Sequence, residues 1–246
     1  MNNIYFLDTE TTGKDPTQAH VVEIAIIADD LKIENRCKPR TPISIGAMAV
    51  HHITDQMVAD LPDFVATPAY DYLLDHPGDI LVAHNAPYDV RVLGNEWIII
   101  SRYIDTLTVA RHIMDDASIE SYSLEYLRYY HQLDMLHEWE LSSGFAHSAL
   151  YDTIVLSWLY QLLRDSVMQI YPDIDPVVKM LELTCTPVLL KRLAFGKYKG
   201  CKYEEIRAKH YDYLMWLEDA ELKKPMHEQN KDMLYTLTYW KTRKPQ

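Results

Sequence analysis

Two carboxylates stand one residue apart where the first apolar run of the chain ends. In IYFLDTETTG, residues 4–13, the segment Ile4 to Leu7 is uncharged and favours a strand, and the threonines and glycine that follow end it. Side chains two positions apart on a strand point to the same side, so Asp8 and Glu10 are expected to lie together. Carboxylates that close repel each other unless a proton or a cation lies between them, and hard divalent cations suit such a pair. The alternative is an ordinary strand end with a capping aspartate and a solvated glutamate.

Two further acidic positions follow predicted strands. Asp89 ends AHNAPYD, residues 83–89, directly after the short apolar strand 80–83. Its simplest alternative is an acid in a first helical turn, where it favours the helix dipole. Asp105 ends the fifth predicted strand and is expected to cap the helix after it.

His147 and Asp152 stand five positions apart in HSALYD, residues 147–152. Asp152 lies in a predicted helix among apolar neighbours, where a carboxylate without a partner would cost stability. Five positions do not share a helix face, so we expect His147 on the loop before the helix and Asp152 within it. His147 taken alone is more typical of a surface histidine than of a base.

Strands alternate with helices along residues 1–166, which indicates an α/β layered domain with a parallel or mixed sheet. The predicted strands lie near 4–8, 21–30, 31–37, 80–83 and 96–105. The predicted helices lie near 64–74, 106–114, 123–133 and 146–165, and a further helix begins at Pro87 or Tyr88. A connector is expected over 167–186, where YPDIDP supplies two prolines, and a small separate α+β unit over 187–246.

The net charge of −12 is divided unevenly along the chain. Residues 1–184 carry 11 Lys and Arg against 28 Asp and Glu, a net charge of −17, whereas residues 185–246 carry 13 against 8, a net charge of +5. An acidic body with a basic tail unit suggests two tasks. Bound divalent cations would offset part of the negative charge of the body.

Three widely spaced cysteines without a CxxC pattern are expected to be free thiols in a reducing compartment. No window approaches 18 consecutive apolar residues, so no membrane contact is expected, and MNNIYFLDTE lacks the character of a signal peptide. These features predict a cytoplasmic protein.

Taken together, the segments FLDTETTG, AHNAPYD and HSALYD resemble the three motifs of the DEDD 3′–5′ exonucleases. The histidine five positions before the last aspartate resembles the DEDDh subgroup. The tail segment LAFGKYKGCKYEEIRAKHYDYLMWLEDA, residues 193–220, together with AMAVHHITDQMVAD, residues 47–60, resembles the exodeoxyribonuclease X family.

The resemblance implies a ribonuclease H-like fold, with a five-stranded mixed sheet flanked by helices and a small C-terminal α+β domain. It implies two Mg²⁺ ions, replaceable by Mn²⁺, held by Asp8, Glu10, Asp89 and Asp152. It assigns His147 the role of the base that takes a proton from water, which suits the ordinary pKa of imidazole near 6.5. The products would be 5′-mononucleotides released one by one from a 3′ end.

The same resemblance implies a seat for the terminal nucleotide. Its candidate residues are Thr9, Thr11, Thr12, Met48, His51 and Asn85. Met48 has a plain alternative as part of a helix core, and His52 beside the seat is expected to be exposed.

The basic tail interleaves lysines and Arg192 with Phe195, Tyr198 and Tyr203, and Gly196 and Gly200 are expected to bound a turn. Cations that neutralise phosphates and rings that stack on bases predict an accessory surface for nucleic acid or for a partner protein. The alternative is a solvated basic loop whose aromatic residues form a small core.

The leading function is therefore a metal-dependent 3′–5′ exodeoxyribonuclease acting on DNA 3′ ends, most simply single-stranded ones, in repair, replication or degradation. An exoribonuclease that trims RNA shares the motifs, and a polymerase proofreading subunit would use the tail to dock on a polymerase or repair protein. A binding module that has lost catalysis would have a broken carboxylate set, but all four acids and the histidine are present.

Overall fold

The computed structural model describes residues 3–114, 119–136, 148–226 and 229–243. The chain divides into two compact units, Met1–Thr184 and Cys185–Gln246. Each unit is described by itself below.

The first unit is built on a five-stranded mixed sheet with the order β3-β2-β1-β4-β5. β1 pairs antiparallel with β2 and parallel with β4, while β2–β3 is antiparallel and β4–β5 is parallel. The strands are β1 (Ile4–Thr11), β2 (Val21–Ala28), β3 (Leu31–Arg36), β4 (Ile80–Ala83) and β5 (Tyr103–Asp105). The predicted α/β architecture with a mixed sheet is confirmed.

Helices cover both faces of this sheet. The helices of the first unit are α1 (Ile45–His51), α2 (Asp55–Val58), α3 (Pro68–Asp75), α4 (Ala86–Asn95), α5 (Thr106–Ile113), α6 (Leu124–Tyr130), α7 (Ala149–Ile170) and α8 (Pro176–Cys185), with short 3₁₀ turns at Phe64–Ala66 and Leu133–Leu136. Tyr5 and Leu7 point into a core shared with α3 and α4, whereas Ile4 and Phe6 pack on the opposite core around α7. The alternation of β1 therefore assigns Asp8 and Glu10 to the α7 side of the sheet.

Local sequence signals predict several of these elements closely. β4 has the predicted bounds, and Ser123 caps α6 by accepting a hydrogen bond from the Tyr126 amide at 3.4 Å. The predicted fifth strand over 96–105 is shorter in the structure and begins only at Tyr103. Trp97 has a left-handed φ of 63°, and Ile99 is 84% exposed, so this part of the apolar run leaves the sheet.

The segment 167–186, predicted as a connector, contains the end of α7 and helix α8. Met180 and Leu183 of α8 are buried in the core around α7. Burial of these side chains explains why the first unit extends to Thr184.

In the second unit the structure has helices where an α+β arrangement was expected. They are α9 (Tyr203–Lys209), α10 (Tyr211–Leu222) and α11 (Lys231–Thr242), packed around a core that includes Leu193, Leu214 and Leu237. The β interaction described here is an isolated antiparallel bridge between Arg192 and Lys202. The loop between them contains Gly196 and Gly200, both of which have positive φ angles. Over the described part of the chain, no helix combines the length and apolar character needed to cross a bilayer.

Candidate metal centre and active site

Strand β1 presents two carboxylates on one face. Its side chains alternate between half-buried and buried, and Asp8 and Glu10 share the half-buried face with Ile4 and Phe6. The register of β1 against β2 shifts directly after Glu10, between Glu10 and Thr11. The extra residue, Val22, belongs to β2, so the pairing becomes irregular directly beside Glu10 while β1 continues to Thr11.

Helix α7 brings the third carboxylate to the same face. Ser148 caps the helix by accepting from the Tyr151 amide at 3.4 Å, so Asp152 lies in the first turn. Ile154 and Val155 of α7 are buried in the core that includes Phe6, which fixes the start of the helix over the end of β1. Carboxylate oxygen atoms of Asp8, Glu10 and Asp152 all lie within 4.8 Å of one another.

Simultaneous ionisation of these carboxylates is unfavourable. Burial raises the pKa of Asp8 well above its ordinary value, and repulsion from Asp152, Asp89 and Glu10 raises it further. Burial, followed by repulsion from Asp152, raises the pKa of Glu10 to about 8. A divalent cation would remove both penalties at once, because it neutralises charge that the protein alone cannot hold at neutral pH. The donor set therefore fits a hard divalent cation.

Asp89 lies beside this cluster and is not one of its three members. Asp89 is buried in the first turn of α4 and accepts a hydrogen bond from the Thr9 hydroxyl at 2.7 Å. Burial raises the pKa of Asp89 to about 7, and the Thr9 hydrogen bond opposes that rise. Its charge nevertheless reaches Asp8 and Glu10, whose pKa values it raises.

Asp105 fixes the start of the helix that carries Asp89. One of its carboxylate oxygens accepts the amides of Asn85 at 2.8 Å and Ala86 at 3.1 Å. It also caps α5 by accepting from the Leu107 and Thr108 amides, which confirms the capping role predicted from the sequence. Asn85 itself is exposed in a left-handed conformation with φ 70°.

Glu23 is a fifth acid near the cluster that the sequence analysis did not select. It is 1% exposed, it pairs with Glu10 across the β1–β2 register, and its carboxylate bonds the Arg36 Nε at 2.5 Å. Its other oxygen accepts the backbone amide of Ala149, the first residue of α7, at 2.9 Å. The sequence feature that could have indicated Glu23 is its position as a lone charged residue in VVEIAIIA, an otherwise apolar strand.

A cavity of about 320 Å³ opens beside Glu10. It is lined by Glu10, Thr11, Gly13, Lys14, Gly46, Ala47, Val50, His51 and Tyr88. Lys14 supplies a positive charge on one part of the lining, and α1 supplies small and apolar side chains on another. Such a lining suits a ligand that has both an anionic and an apolar part.

Two residues predicted to contact the end nucleotide are held by the protein itself. His51 Nδ1 accepts the Ile53 amide at 3.0 Å, so its Nε2 carries the proton and donates to the Thr11 carbonyl at 3.2 Å. Burial lowers the pKa of His51, which keeps the ring neutral while it lines the cavity. Met48 packs against the small apolar cluster that includes Ile43, in agreement with its alternative as helix core, and His52 is exposed as expected.

The threonine hydroxyls after the strand are also used within the protein. Thr12 accepts the His20 amide at 3.1 Å, and Thr11 donates to the Gly13 carbonyl at 3.1 Å. Tyr88, which the sequence analysis did not select, lies 2.5 Å from the Thr11 hydroxyl and donates to the Gly13 carbonyl at 2.6 Å. These bonds hold the turn after β1 against α4, so its backbone forms one wall of the cavity.

His147 lies outside the described residues. The first described residue after it is Ser148, the cap of α7, and Asp152 is inside the helix as predicted.

The family model described as "Exonuclease" matches residues 5–160 of this chain. Exodeoxyribonuclease 10 of Escherichia coli strain K12 is 32% identical over 221 residues, which cover 86% of this chain and 88% of that protein. The DNA polymerase III subunit epsilon of Rickettsia typhi is 28% identical over 225 residues, covering 85% of this chain and 93% of that protein.

A solved structure is similar as well. Exonuclease X in complex with 5′ overhanging duplex DNA has a TM-score of 0.56 and 29% sequence identity, and the match covers 74% of this chain and 99% of that one. The matched family residues, 5–160, include the three clustered carboxylates and Asp89.

Proposed function

The chain belongs to the exonuclease family and is a nuclease hydrolase, and from that premise we propose that it removes nucleotides stepwise from the 3′ end of a DNA strand. The proposed products are 5′-mononucleotides, and the proposed setting is DNA repair, replication or degradation. DNA is proposed as the substrate because similar proteins are an exodeoxyribonuclease and an exonuclease bound to duplex DNA.

The observation that carries this proposal is the three-carboxylate cluster. Asp8, Glu10 and Asp152 come from a strand and a helix far apart in sequence, yet their oxygens lie within 4.8 Å. Nothing in folding favours such a group, because burial and mutual repulsion raise the pKa values of Asp8 and Glu10. A function that requires bound cations explains why the fold brings the three acids together.

Asp8, Glu10 and Asp152, with Asp89 beside them, would hold two Mg²⁺ ions, for which Mn²⁺ can substitute. When bound, such ions lower the pKa of a water molecule and stabilise charge on the scissile phosphate and its leaving oxygen. The protein supplies a half-buried setting in which these charges act strongly.

The other steps belong to side chains of the chain. We assign His147 as the base that accepts a proton from the attacking water, on the strength of its position five residues before Asp152. The hydrogen bond from Thr9 favours the anion of Asp89 against the effect of burial, which raises the pKa of this acid. Asp105 and Glu23 hold the first turns of α4 and α7, which carry Asp89 and Asp152.

The cavity beside Glu10 is proposed as the seat of the terminal nucleotide. Lys14 would pair with a phosphate, and Ala47 and Val50 of α1 would lie against the base or sugar. His51 orients the wall by its bond to the Thr11 carbonyl. The backbone of Thr12 is bonded to His20 and Ser44, so the exposed Asn85 and the segment Thr9–Thr11 are the proposed sources of polar contacts.

The test is an exonuclease assay on 5′-labelled single-stranded DNA and, separately, RNA, each with Mg²⁺ or EDTA. The expected result is a Mg²⁺-dependent ladder that shortens from the 3′ end of the DNA. The Asp152→Asn variant should lose at least about a hundredfold in kcat, because it removes a carboxylate charge from the cluster.

Asp165→Asn is the matched control, because Asp165 is exposed on the same helix and bonds only Gln161 among the contacts described. It should retain the wild-type rate. A ladder on RNA alone would contradict the DNA assignment, and full activity in EDTA would contradict the metal assignment.

Proofreading in a polymerase is a second candidate function. It is favoured by the similarity to the epsilon subunit of Rickettsia typhi, which covers 93% of that protein. A gain in hydrolysis of mismatched 3′ ends on addition of a replicative polymerase would support it. Equal rates with and without the polymerase would favour an independent exonuclease.

A further inference from the structure

An unbroken row of aromatic rings crosses the second unit. Tyr198 stacks on His210 with ring centroids 4.5 Å apart and meets Tyr213 edge-on at 4.8 Å. Tyr213 in turn lies 5.5 Å from Trp216. The row, defined here as His210, Tyr198, Tyr213 and Trp216, joins the loop before α9 to one side of α10.

Tyr198 and Tyr213, in the middle of the row, pack against the core of this unit, and the two ends of the row are exposed. Trp216 is 59% exposed, and His210 is exposed at the opposite end. Tyr203, by contrast, is 1% exposed and belongs to the core, so it cannot serve a binding surface as the sequence analysis expected. An indole exposed to that degree contributes little to folding and retains a free ring face.

A glycine loop lies directly on this row. A side chain at Gly196 would come within 2.6 Å of the Tyr213 hydroxyl, and the φ of 71° at this position also favours glycine. The loop closes with a bond from the Lys199 amide to the Gly196 carbonyl at 3.2 Å, which confirms the predicted turn. Phe195 precedes Gly196 in the same loop and is 48% exposed.

The same loop carries positive charge without acids. The segment 191–202, KRLAFGKYKGCK, contains five Lys or Arg and no Asp or Glu. Lys197, Lys199 and Lys202 are exposed and pair with no carboxylate among the residues that the structure describes. Lys197 Nζ lies 5.2 Å from the centre of the Tyr198 ring, so charge and ring are presented together.

Three lysines elsewhere in this unit pair with acids. Glu218 pairs with Lys241, Asp219 with Lys223 and Glu221 with Lys224. Lys197, Lys199 and Lys202 therefore form an exposed positive cluster beside the aromatic row, in a loop segment that contains no acid. A polyanion with flat apolar groups complements this surface better than an acidic peptide does, because the exposed rings need stacking partners as well as charge.

We infer that the row, together with Phe195, Lys197 and Lys199 of the glycine loop, forms a second binding surface for single-stranded nucleic acid. Bases stack on the exposed rings, and the lysines neutralise neighbouring phosphates. The inference rests on the proposed function only for the kind of nucleic acid that is bound. An exonuclease that acts on DNA would use this surface to retain its DNA substrate. The surface belongs to the second unit and uses none of the carboxylates of the first.

The test is equilibrium binding of the full chain to a fluorescent oligothymidylate of about 30 nucleotides, followed by anisotropy in EDTA. The double variant Phe195→Ala/Trp216→Ala should raise Kd about tenfold or more, because it removes two stacking faces. Lys197→Glu/Lys199→Glu should also lower the slope of log Kd against log salt, by about 0.7 for each lost phosphate contact.

Tyr235→Ala and Lys231→Glu are matched controls, since both residues are exposed on α11 and outside the row. Both should bind like the wild type, and far-ultraviolet circular dichroism should show that all variants fold. With Mg²⁺ present, the row variants should raise KM for the strand and leave kcat unchanged.

An unchanged Kd in both row variants would overturn the inference and leave the face to a protein partner. Failure of the proposed exonuclease is a separate result, because binding in EDTA does not depend on turnover. A chain that binds the strand through the row but degrades neither DNA nor RNA would sustain this inference alone.

Discussion

Glu23 of β2 accepts a hydrogen bond from the backbone amide of Ala149, 126 positions away, over 2.9 Å. The bond ties the sheet to the first residue of α7, the helix that carries Asp152 in its first turn. A carboxylate at a helix N-terminus also stabilises the helix through its dipole. Glu23 is therefore a positioning residue: it lies opposite Glu10 in the sheet, outside the three-carboxylate cluster, and it fixes the helix that carries Asp152.

Glu23→Gln should destabilise the protein and lower its activity. An amide has one acceptor oxygen, so it cannot serve both the Ala149 amide and Arg36, and a buried donor remains unpaired. We expect a loss of about 1–3 kcal/mol in the free energy of unfolding. We also expect weaker Mg²⁺ activation, measured as a higher half-saturating Mg²⁺ concentration.

Glu34→Gln provides the control for that experiment, because Glu34 is exposed on the neighbouring strand β3. It should change neither quantity. If Glu23→Gln retained the wild-type stability and Mg²⁺ response, Glu23 would have no positioning role.

The metal-free protein should lose thermal stability as pH rises from about 5 to 9. Glu10 has a pKa raised to about 8 and Asp89 one raised to about 7, so in this range the folded state holds protons that the unfolded state has already released. An acid whose pKa is higher in the folded than in the unfolded state contributes its full stabilisation below the unfolded-state pKa. That stabilisation is lost as the pH rises through the folded-state pKa. Differential scanning fluorimetry in EDTA measures the resulting fall in Tm.

Mg²⁺ should raise Tm more at the alkaline end of this range than at the acidic end, since cation and proton compete for the same oxygens. Glu10→Gln should flatten the pH dependence in EDTA. A Tm that rose with pH in EDTA, or a Mg²⁺ effect independent of pH, would contradict the cation assignment.

Thr9→Val should move the acidic limb of the pH–rate profile to higher pH. The Thr9 hydroxyl donates to Asp89 at 2.7 Å and holds down a pKa that burial raises. Without that bond Asp89 stays protonated to higher pH, and the protonated acid cannot bind a cation. The measurement is kcat/KM across the acidic range.

Thr17→Val removes the same kind of bond from the exposed Asp15, at 2.7 Å, and is the matched control. Its profile should match that of the wild type. An acidic limb at the same pH in Thr9→Val would show that the ionisation of Asp89 does not limit the reaction.

Gly196→Ala should destabilise the second unit. A left-handed φ of 71° costs a non-glycine residue about 1–2 kcal/mol, and the added Cβ would meet the Tyr213 hydroxyl at 2.6 Å. We expect a lower melting temperature together with weaker strand binding. Thermal unfolding followed by circular dichroism measures the change in melting temperature.

Gly94→Ala is the control, because no atom lies within 4 Å of a Cβ at this position in α4. It should be neutral or slightly stabilising, since alanine favours helices over glycine. Equal stability of the Gly196→Ala variant and the wild type would contradict the close approach of loop and ring.

Features determined by local interactions follow from the sequence alone. β4 runs over Ile80–Ala83 as predicted, Ser123 caps α6, and Asp105 caps α5, since apolar runs and capping residues act within a few positions. Alternation along β1 was also enough to place Asp8 and Glu10 on one face. The carboxylate pair and the α/β layering could therefore be predicted from the sequence without knowledge of tertiary contacts.

Tertiary structure alone decided how distant segments meet. It joined Asp152 to the β1 pair, tied Asp89 to Thr9, directed Met48 into a small core and gave Glu23 the amide of Ala149. It also ended the apolar run 96–102 outside the sheet and aligned the aromatic row of the second unit. These outcomes depend on strand register, burial and contacts across many positions, and such long-range terms leave no periodic signal in the chain.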